Sequence, residues 1–401
     1  MKRILVLGGG ASGIAAAIAA KETAGDRADV VLVEQFPRVG KKLLATGNGR
    51  CNLDNENTTP EKYFTANPGQ LARMLEAMGD PLDWFSSHGL VTRTDEAGRV
   101  YPYSQQASDV LNLLLLHMEK LGVRVKTESK VKSVTKKGTT YTVLLENGTK
   151  LFGNAVILAL GGKAGPQFGT DGFAIALAEG LGLKTEECYP CLVPLAAKKQ
   201  EIAGLSGIRV KAKATLYDGE ETIASEDGEI QFTAYGLSGI AIMQLSGFLP
   251  RLYRPEIHLD LFPQLGEDGL LELLKRRLAV LGEVTPEQYL TGLLNGRVGQ
   301  AVWNAAGLPE EGVVEESLAV LAKTLKNWRF TGLHATDYRS AQTTGGGVCL
   351  SAADPETFEV RGMPGLFLVG ESLDAAGLCG GFNLHWAFGS GIAAGKAAGA
   401  S

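Results

Sequence analysis

Three glycines near the start of the chain have the spacing of a phosphate-binding turn. Gly8, Gly10 and Gly13 form the pattern GxGxxG directly after the apolar run RILVL. In such a turn the first glycine permits a tight bend, the second lets a pyrophosphate approach the backbone, and the third lets the following helix pack closely on the strand. The N-terminus of that helix offers free amides to negative charge. The spacing predicts a dinucleotide site contacted by Gly8, Gly10, Ala11, Ser12 and Gly13.

An acidic residue stands where this kind of site needs one. The run VVLV at 30–33 predicts a second buried strand, which ends at Glu34 and is followed by Gln35. A carboxylate about twenty residues past the glycines accepts hydrogen bonds from ribose hydroxyls. The alternative is a glycine-rich turn with a solvent-facing glutamate. The dinucleotide site is favoured because strand, turn, helix (12–22), strand and acid are all in register.

The GxGxxG turn binds both NAD and FAD and does not distinguish them. The pattern at the far end of the chain indicates which of the two is bound. GLFLVG at 365–370 predicts another buried strand, and a Gly-Gly-Phe-Asn turn at 380–383 opens a small-residue helix through Ala398. In flavoproteins such a late strand returns beside the first one, and its acidic residue binds the ribityl chain. The helix aims its N-terminus at the flavin, where the dipole stabilises charge on reduction. We therefore expect FAD, with C-terminal contacts from Gly370, Glu371, Asp374, Gly381, Phe382 and Asn383.

A third polar stretch, LATGNGRCNLDN at 44–55, runs from the ribose acid toward the middle of the cofactor. Its glycines, Gly47 and Gly49, let the backbone pass close to the pyrophosphate and the flavin. Lys42 and Thr46 can reach phosphate oxygens.

The same stretch holds a cysteine whose chemistry is in question. Cys51 has no neighbouring histidine and no partner cysteine at a redox spacing, so we interpret it as a packing residue. Asn52 is the expected polar contact near the flavin ring, and Arg50 suits an anionic group. The predicted FAD contacts in this region are Lys42, Thr46, Gly49, Arg50, Cys51 and Asn52.

The full set of motifs resembles the BaiN/YhiN-like flavoproteins almost from end to end. The motifs that carry the resemblance are GGGASG (8–13), GKKLLATGNGRCN (40–52), LALGG (158–162), GTDG (169–172), PCLVPL (190–195), GLSG (236–239), TGGGV (344–348) and GESLDAAGLCGGFN (370–383). The resemblance implies an α/β fold, with a two-dinucleotide-binding-type, Rossmann-like FAD domain made of both chain ends and an inserted domain between them. It also implies FAD contacts at Gly161 and at Val131, whose backbone would meet the adenine. A plain strand valine is the alternative for Val131.

Membership of this family does not fix the substrate. Its characterised activities include reduction of carbon-carbon double bonds conjugated to a steroid ketone, while related sequences carry an aminoacetone oxidase label. The chain departs from the family pattern at His385, where glutamine is more frequent, at Asn48, where glycine is frequent, and in Gln342-Thr343. We expect a reductase of a C=C bond conjugated to a ketone in a hydrophobic, steroid-like substrate, acting by hydride transfer from flavin N5. The alternatives are an FAD-dependent oxidase of a small amine such as aminoacetone and a non-catalytic flavin-binding protein.

Such a reductase needs a protein group that protonates the α-carbon or polarises the ketone oxygen. The candidates are Arg50, Tyr235 and His385. His385 follows the Gly-Gly turn, where a histidine either donates a proton or merely caps and packs the helix. Tyr235 precedes GLSG, a turn that the family places over the flavin. The alternative interpretation of Tyr235 is a tyrosine that only packs at an interface. No second GxGxxG follows a strand, so NADH or NADPH would visit the substrate cleft transiently unless another donor reduces the flavin.

Hydrophobic patterns divide the chain into segments. β-Rich runs between 123 and 160, with a hairpin signal at Asn147-Gly148, predict a small sheet that crosses the FAD domain. Strand patterns dominate 192–262, and apolar residues recur at helical spacing from 264 to 328. The predicted domains are the first part of the FAD-binding domain (1–191), a β-rich insertion (192–263), a helical subdomain of the insertion (264–330) and the second part of the FAD-binding domain (331–401).

The net charge bears on the class of binding partner, and the cysteine content bears on the cellular compartment. A net charge of −5, without a run of five like charges, gives no electrostatic footprint for nucleic acid. Five scattered cysteines favour a reducing cytoplasm over a secreted disulfide framework. CYPC at 188–191 enters the β-rich part instead of opening a helix, so a redox dithiol is not expected. A zinc site would need two more ligands, and the sequence has no second cysteine pair, so no metal site is expected.

The start of the chain imitates a signal peptide, with MKR before an apolar stretch. Its glycines would break a secretory helix and suit the nucleotide turn, so we favour the turn. Elsewhere no apolar span approaches roughly twenty residues, and no membrane helix is expected. The sequence does not indicate an oligomeric state.

Overall fold

The structure, a computed structural model, describes residues 1–401. Its strands are β1 (Lys2–Leu7), β2 (Ala28–Val33), β3 (Asp54–Asn55), β4 (Tyr63–Phe64), β5 (Thr92–Thr94), β6 (Arg99–Pro102), β7 (Arg124–Lys126), β8 (Val131–Lys137), β9 (Thr140–Leu145), β10 (Lys150–Gly153), β11 (Ala155–Leu158), β12 (Thr185–Cys191), β13 (Leu195–Ala196), β14 (Arg209–Asp218), β15 (Glu221–Phe232), β16 (Gly236–Ser238), β17 (Pro255–Asp260), β18 (Trp328–Phe330), β19 (His334–Ala335), β20 (Thr343–Val348), β21 (Leu366–Leu368) and β22 (Ala376–Gly377). Its α-helices are α1 (Ala11–Ala24), α2 (Lys41–Ala45), α3 (Pro68–Met78), α4 (Pro81–Ser87), α5 (Ala107–Leu121), α6 (Phe173–Gly180), α7 (Ile240–Ser246), α8 (Glu267–Leu281), α9 (Pro286–Leu290), α10 (Gly296–Ala305), α11 (Glu315–Lys326) and α12 (Phe382–Ala400).

The chain forms two compact units, each with its own hydrophobic core. The first unit contains Met1–Pro190 and Ala341–Ser401, and the second, inserted unit contains Cys191–Ser340. The first unit is therefore assembled from both ends of the chain, with the insertion between them.

A five-stranded parallel sheet forms the centre of the first unit, in the order β21-β11-β1-β2-β7. β11 and β21 are buried throughout, which explains their near-continuous apolar sequences. The strands predicted at the two chain ends are confirmed. One neighbour was predicted wrongly, since β21 pairs with β11 and not with β1. The reason is that β11, an equally apolar strand, occupies the place beside β1, with Ala155 opposite Ile4.

Helices from the two chain ends, α1 and α12, pack directly on each other. A Cβ atom added to Gly391 would lie 2.3 Å from the carbonyl oxygen of Ser12, and one added to Gly395 would lie 2.4 Å from that of Ala16. Only glycine lets the two backbones come this close. The apolar stretch at the start of the chain is thus a core helix, and its residues from Ser12 to Ala20 are buried.

A small antiparallel sheet of β8, β9 and β10 belongs to the same unit. Gly148 adopts a φ of +84° in the turn between β9 and β10, so the hairpin predicted at Asn147-Gly148 is confirmed. The hydroxyl of Tyr141 on β9 donates to the carbonyl oxygen of Pro364 at 2.9 Å. This bond ties the small sheet to the segment that leads into β21.

The inserted unit is built on a seven-stranded sheet in the order β18-β17-β14-β15-β16-β13-β19. Large side chains fill its core, including Trp303, Tyr289, Phe232 and Phe330, all of which are fully buried. The predicted succession of a strand-rich and then a helix-rich stretch is present as β13–β17 followed by α8–α11.

Two short strands of this unit differ from the sequence expectation. Helical spacing was predicted through residue 328, but α11 ends at Lys326 and Trp328 begins β18, where buried and exposed residues alternate. β19 then pairs with β13, so residues 331–340, which the sequence assigned to the FAD domain, lie in the inserted unit. Strands of two or three residues are too short to produce a readable period, which explains the difference.

Candidate cofactor site

The GxGxxG turn connects β1 to α1, and its glycines serve different needs. A Cβ atom on Gly8, which has a φ of +107°, would lie 2.3 Å from the carbonyl oxygen of Ala159. One on Gly13 would lie 1.9 Å from the carbonyl oxygen of Gly8. Gly10 precedes α1 and nothing lies within 4 Å of the place its Cβ would take. Close contacts within the chain explain why Gly8 and Gly13 have to be glycine. Gly10 has no such contact and leaves open space at the N-terminus of α1.

Glu34 joins the second strand to this turn. One carboxylate oxygen accepts from the backbone N–H of Gly9 at 2.8 Å and the other from that of Phe36 at 2.9 Å. Each oxygen keeps a lone pair for a further donor, so these bonds orient the carboxylate without exhausting it. The neighbouring Gln35 donates from its side-chain amide to the carbonyl oxygen of Gly169 at 2.6 Å. The acid is therefore held rigidly beside the turn.

The loop after α2 turns sharply at its glycines. Gly47 and Gly49 have φ values of +57° and +81°. Arg50 is exposed, donates from Nε to the carbonyl oxygen of Gly47 at 3.3 Å, and holds its guanidinium carbon 5.1 Å from the centre of the Tyr101 ring. The hydroxyl of Thr46 donates to the carbonyl oxygen of Leu43 at 2.7 Å. The loop thus presents a cation at its surface.

Cys51 and Asn52, at the end of this loop, both have buried side-chain atoms. Cys51 is fully buried, and burial raises the pKa of its thiol to about 12. Such a thiol stays protonated at neutral pH, which agrees with a packing role. The side-chain oxygen of Asn52 is also buried but accepts no hydrogen bond. A buried acceptor without a donor marks a position where a ligand supplies one.

The two predicted acids of the C-terminal segment, Glu371 and Asp374, accept hydrogen bonds from other residues of the protein. One oxygen of Glu371 accepts from Nζ of Lys42 at 2.5 Å, and the other accepts from the hydroxyl of Thr344 at 2.8 Å. Asp374 is buried and accepts from the backbone N–H of Ala66 at 2.7 Å. Sequence reasoning expected Lys42 at a phosphate and missed both Thr344 and the pairing of Lys42 with Glu371. Those two residues are 329 positions apart, and no local pattern signals their contact.

The start of α12 is built by two glycines and an asparagine. A Cβ atom on Gly381 would lie 2.1 Å from the carbonyl oxygen of Asp54, so β3 packs directly on the turn that opens the helix. The side-chain amide of Asn383 exchanges two hydrogen bonds with the backbone of Gly377, at 2.7 and 2.9 Å. Phe382 is buried at the first helical position, and its carbonyl oxygen accepts a hydrogen bond from the hydroxyl of Tyr63. Asn383 therefore holds the loop in place.

His385 lies in the first turn of α12 and pairs with an acid that sequence reasoning did not select. Its Nδ1 is 2.7 Å from a carboxylate oxygen of Asp54, and both residues are buried. In the sequence, Asp54 is the only charged residue between Arg50 and Glu56, which is a weak signal at best. Its partner 331 residues away has no signal at all.

The remaining candidates are Val131, Gly161, Gly370 and Tyr235. Val131 is the buried first residue of β8, and Gly161 has a φ of +79° after β11. Gly370 has a φ of +68° and its N–H donates to the Ser390 hydroxyl at 3.0 Å. Tyr235 belongs to the inserted unit, where 46% of it is exposed.

The CxxC sequence lies in β12 and forms no disulfide. Cys191 is fully buried, and burial raises the pKa of the Cys188 thiol. Redox cysteines show the reverse, a lowered pKa at the start of a helix. The strand location agrees with the expectation that this pair is not a redox site.

The residues present fit FAD. Open space at Gly10 and the N-terminus of α1 suit the phosphates, and Glu34 suits the ribose. The unsatisfied Asn52 oxygen and the N-terminus of α12 suit the flavin. Together with the parallel sheet, these features define an FAD-binding flavoprotein of the Rossmann class.

Comparison with known proteins identifies the family. The chain matches the family described as HI0933-like protein Rossmann domain over residues 2–397, and it belongs to that family. It is 36% identical, over 99% of both chains, to the 3-dehydro-bile acid delta(4,6)-reductase of Clostridium scindens. It is 29% identical to the ribosomal RNA dihydrouridine synthase of Escherichia coli, over 96% of this chain and 95% of the relative. The protein is an FAD-dependent oxidoreductase, as the sequence predicted.

A solved structure supports the fold. That of 3-ketosteroid delta1-dehydrogenase from Sterolibacterium denitrificans, in complex with 1,4-androstadiene-3,17-dione, aligns with a TM-score of 0.52 over the full length of both chains. At 13% identity the likeness shows the fold alone. None of the helices in this chain is both long enough and apolar enough to span a membrane.

Proposed function

We propose that this protein reduces a carbon-carbon double bond conjugated to a ketone in a steroid-like acid. The observation that carries the proposal is the 36% identity, over essentially the whole of both chains, to a reductase named for 3-dehydro-bile acids. That name specifies a ketone at position 3 and double bonds at positions 4 and 6. In such a molecule the double bonds are in conjugation with the ketone.

The reaction needs both a hydride and a proton. FAD, when bound and reduced by an external donor such as NADH or NADPH, would supply the hydride for the β-carbon of the conjugated system. A protein group must then protonate the α-carbon or hold the ketone oxygen as charge develops there. His385 is the proposed proton donor, because a hydrogen bond occupies its Nδ1 while its Nε2 makes none in the structure.

Arg50 is the proposed anion-binding side chain. Its guanidinium is exposed and keeps most of its five donors for a ligand, since the side chain donates only to Gly47 within the protein. An arginine does not release its proton at neutral pH, so it would hold a carboxylate or a ketone oxygen and not transfer a proton. Tyr235 stays a candidate donor, supported by its exposed phenol.

Ribosomal RNA is the second candidate substrate class. The 29% identity to a dihydrouridine synthase favours it, and the chemistry is related because the C5=C6 bond of uracil is conjugated to a carbonyl. The charge balance opposes it, with 39 Lys and Arg against 44 Asp and Glu. Proteins that grip a phosphate backbone concentrate positive charge, so we place the steroid-like acid first.

Anaerobic stopped-flow spectroscopy separates these functions. The reduced holoenzyme is mixed with 3-oxo-4,6-choladienoic acid, with the saturated 3-oxo acid as the matched control, with a uridine-containing ribosomal RNA fragment, or with air. We expect rapid return of the oxidised flavin spectrum with the dienone and none with the saturated acid. Reoxidation by the RNA alone would establish the second candidate.

Two further outcomes would overturn both reductase assignments. Fast reaction with oxygen, with dienone and RNA inert and aminoacetone reducing the oxidised enzyme, would show an amine oxidase. No spectral change with any of these compounds would favour a non-catalytic flavin-binding protein. Separate mixing of the oxidised enzyme with NADH and with NADPH identifies the reductant.

A further inference from the structure

The pair formed by Asp54 and His385 is buried to an unusual degree for two ionisable groups. Only 2% of the Asp54 side chain and 8% of the His385 side chain is exposed. The 2.7 Å separation is that of a short, charge-assisted hydrogen bond. Burying a carboxylate is costly unless partners compensate it, so a pair this deep calls for an explanation.

Two structural features lie against the carboxylate of Asp54. The oxygen of Asp54 that faces His385 also accepts from the backbone N–H of Asn55 at 2.6 Å. Gly381 brings the N-terminus of the 19-residue α12 against Asp54, and the dipole of that helix favours negative charge there. Burial, and after it the nearby Asp54, raises the pKa of Tyr63, whose hydroxyl donates to the carbonyl oxygen of Phe382 at 2.9 Å.

The hydrogen bond fixes which ring nitrogen is free. A carboxylate only accepts, so the proton between the two residues belongs to Nδ1 of His385. The imidazole is then held with Nε2 pointing away from Asp54, and Nε2 makes no hydrogen bond in the structure. If the imidazole gains a second proton, the carboxylate stabilises the cation and Nε2 becomes a donor.

We propose that Asp54 is a positioning residue that holds Nδ1 of His385, so that Nε2 is the ring nitrogen that delivers a proton to the substrate. The role of His385 in this statement rests on the proposed function, whereas the orientation does not. The second carboxylate oxygen of Asp54 is buried and accepts no hydrogen bond from the protein. It is open to a donor from outside the chain.

The orientation is tested by nuclear magnetic resonance on the holoenzyme with ¹⁵N-labelled histidine. The chain has five histidines, so the ring signals of His385 are assigned by their loss in His385→Gln. We expect a protonated Nδ1 in the wild type and a mixture of both tautomers in Asp54→Asn. A ring protonated on Nε2 but not on Nδ1 in the wild type, or no change in Asp54→Asn, would overturn the proposal. The wild-type spectrum alone is decisive if the Asp54 variant fails to fold.

The catalytic consequence is tested by a double-mutant cycle. With the substrate that stopped-flow identifies, we expect kcat to fall about 100-fold in both Asp54→Asn and His385→Gln, with KM changed less than about threefold. The double variant should match His385→Gln, because Asp54 acts through the histidine. Effects that multiply would refute the assignment. If no substrate reacts, the proposed function fails while the tautomer measurement still decides the orientation.

Asp80 provides the matched control. One of its carboxylate oxygens lies within 4.8 Å of a carboxylate oxygen of Asp54 and of a ring nitrogen of His385. The residue is exposed, and its side chain caps α4 by accepting from the N–H of Leu82. Asparagine caps helices as well as aspartate does, so Asp80→Asn removes a nearby charge without removing the pair. We expect unchanged tautomers and less than a twofold change in kcat. An effect equal to that of Asp54→Asn would mean that local charge, not the hydrogen bond, is responsible.

Discussion

Two side-chain oxygens in residues 44–55 are buried without a hydrogen-bond donor, Oδ1 of Asn52 and Oδ2 of Asp54. Each such acceptor costs on the order of 1–3 kcal/mol relative to a satisfied one. Both lie in the stretch that the sequence placed next to the cofactor. A protein that leaves two acceptors unsatisfied so close together keeps them for groups that are not part of the chain.

This feature predicts the behaviour of Asn52→Leu. Leucine has a similar volume and removes the unsatisfied oxygen, so the FAD-free protein should keep its free energy of unfolding within about 1 kcal/mol. FAD should bind about tenfold more weakly, because the lost acceptor no longer meets a donor of the flavin. Urea unfolding of the FAD-free protein and fluorescence titration with FAD measure the two quantities.

The contrary pattern would show that Asn52 supports the loop and not the cofactor. That pattern is a destabilised FAD-free protein with unchanged affinity for FAD. Glu96→Gln is a suitable control, since Glu96 is exposed on the loop between β5 and β6. It should change neither quantity.

At the scale of elements, the contact between α1 and α12 depends on glycine. The two helices pack backbone to backbone along Gly391 and Gly395, where any side chain would overlap a carbonyl group of α1. α1 presents alanines on the other side of this contact, so neither helix has a long side chain there. The N-termini of both helices are the ends assigned to the cofactor, and their spacing therefore follows from the size of these residues.

We expect Gly395→Ala to destabilise the first unit by about 3 kcal/mol, because the added methyl group would lie 2.4 Å from the carbonyl oxygen of Ala16. Gly180→Ala is the matched control. Gly180 is an exposed residue at the end of α6, with nothing within 4 Å of its Cβ position. There alanine should stabilise the unit by up to about 1 kcal/mol through helix propensity. Urea unfolding followed by circular dichroism compares the two, and equal effects would contradict close packing.

The sequence predicted local elements well and distant contacts poorly. The succession β1, turn, α1 and β2 was readable because a buried strand and a glycine turn each leave a pattern within ten or so residues. The neighbour of β21 was not readable, since an apolar run shows that a strand is buried but not which strand lies beside it. The same limit applies to the pairs Lys42 with Glu371 and Asp54 with His385, which hundreds of residues separate. Trp328 was assigned to a helix because a three-residue strand has no period of its own.

At the scale of the whole molecule, the two units differ in whether one continuous segment of the chain forms them. The inserted unit is continuous from Cys191 to Ser340, whereas the first unit needs Ala341–Ser401 to supply β20, β21, β22 and α12. The inserted unit also has a separate core that contains Trp303 and Trp328. These properties predict that only one of the units survives excision as a continuous fragment.

We expect residues 191–340, expressed alone, to unfold cooperatively in urea with a near-ultraviolet signal from the buried tryptophans. A fragment of residues 1–190 should remain unfolded, because its sheet lacks β21 and its first helix lacks α12. Mixing it with a 341–401 peptide and FAD should restore part of the structure. Cooperative unfolding of the 1–190 fragment alone would contradict the dependence on the C-terminal segment.

The packing of α1 on α12 also sets the order of events during synthesis on the ribosome. The helix of residues 11–24 has to wait for that of residues 382–400, which at about 5–20 residues per second means tens of seconds in the cell. Over that interval the face of the first helix that packs on the last one is uncovered, while the inserted unit can already fold as it emerges. The helix N-terminus that we assign to the flavin is made only when the ribosome has nearly finished. Cofactor supply therefore acts on the completed chain, and a shortage of FAD would expose the first unit, not the insertion, to chaperones and proteases.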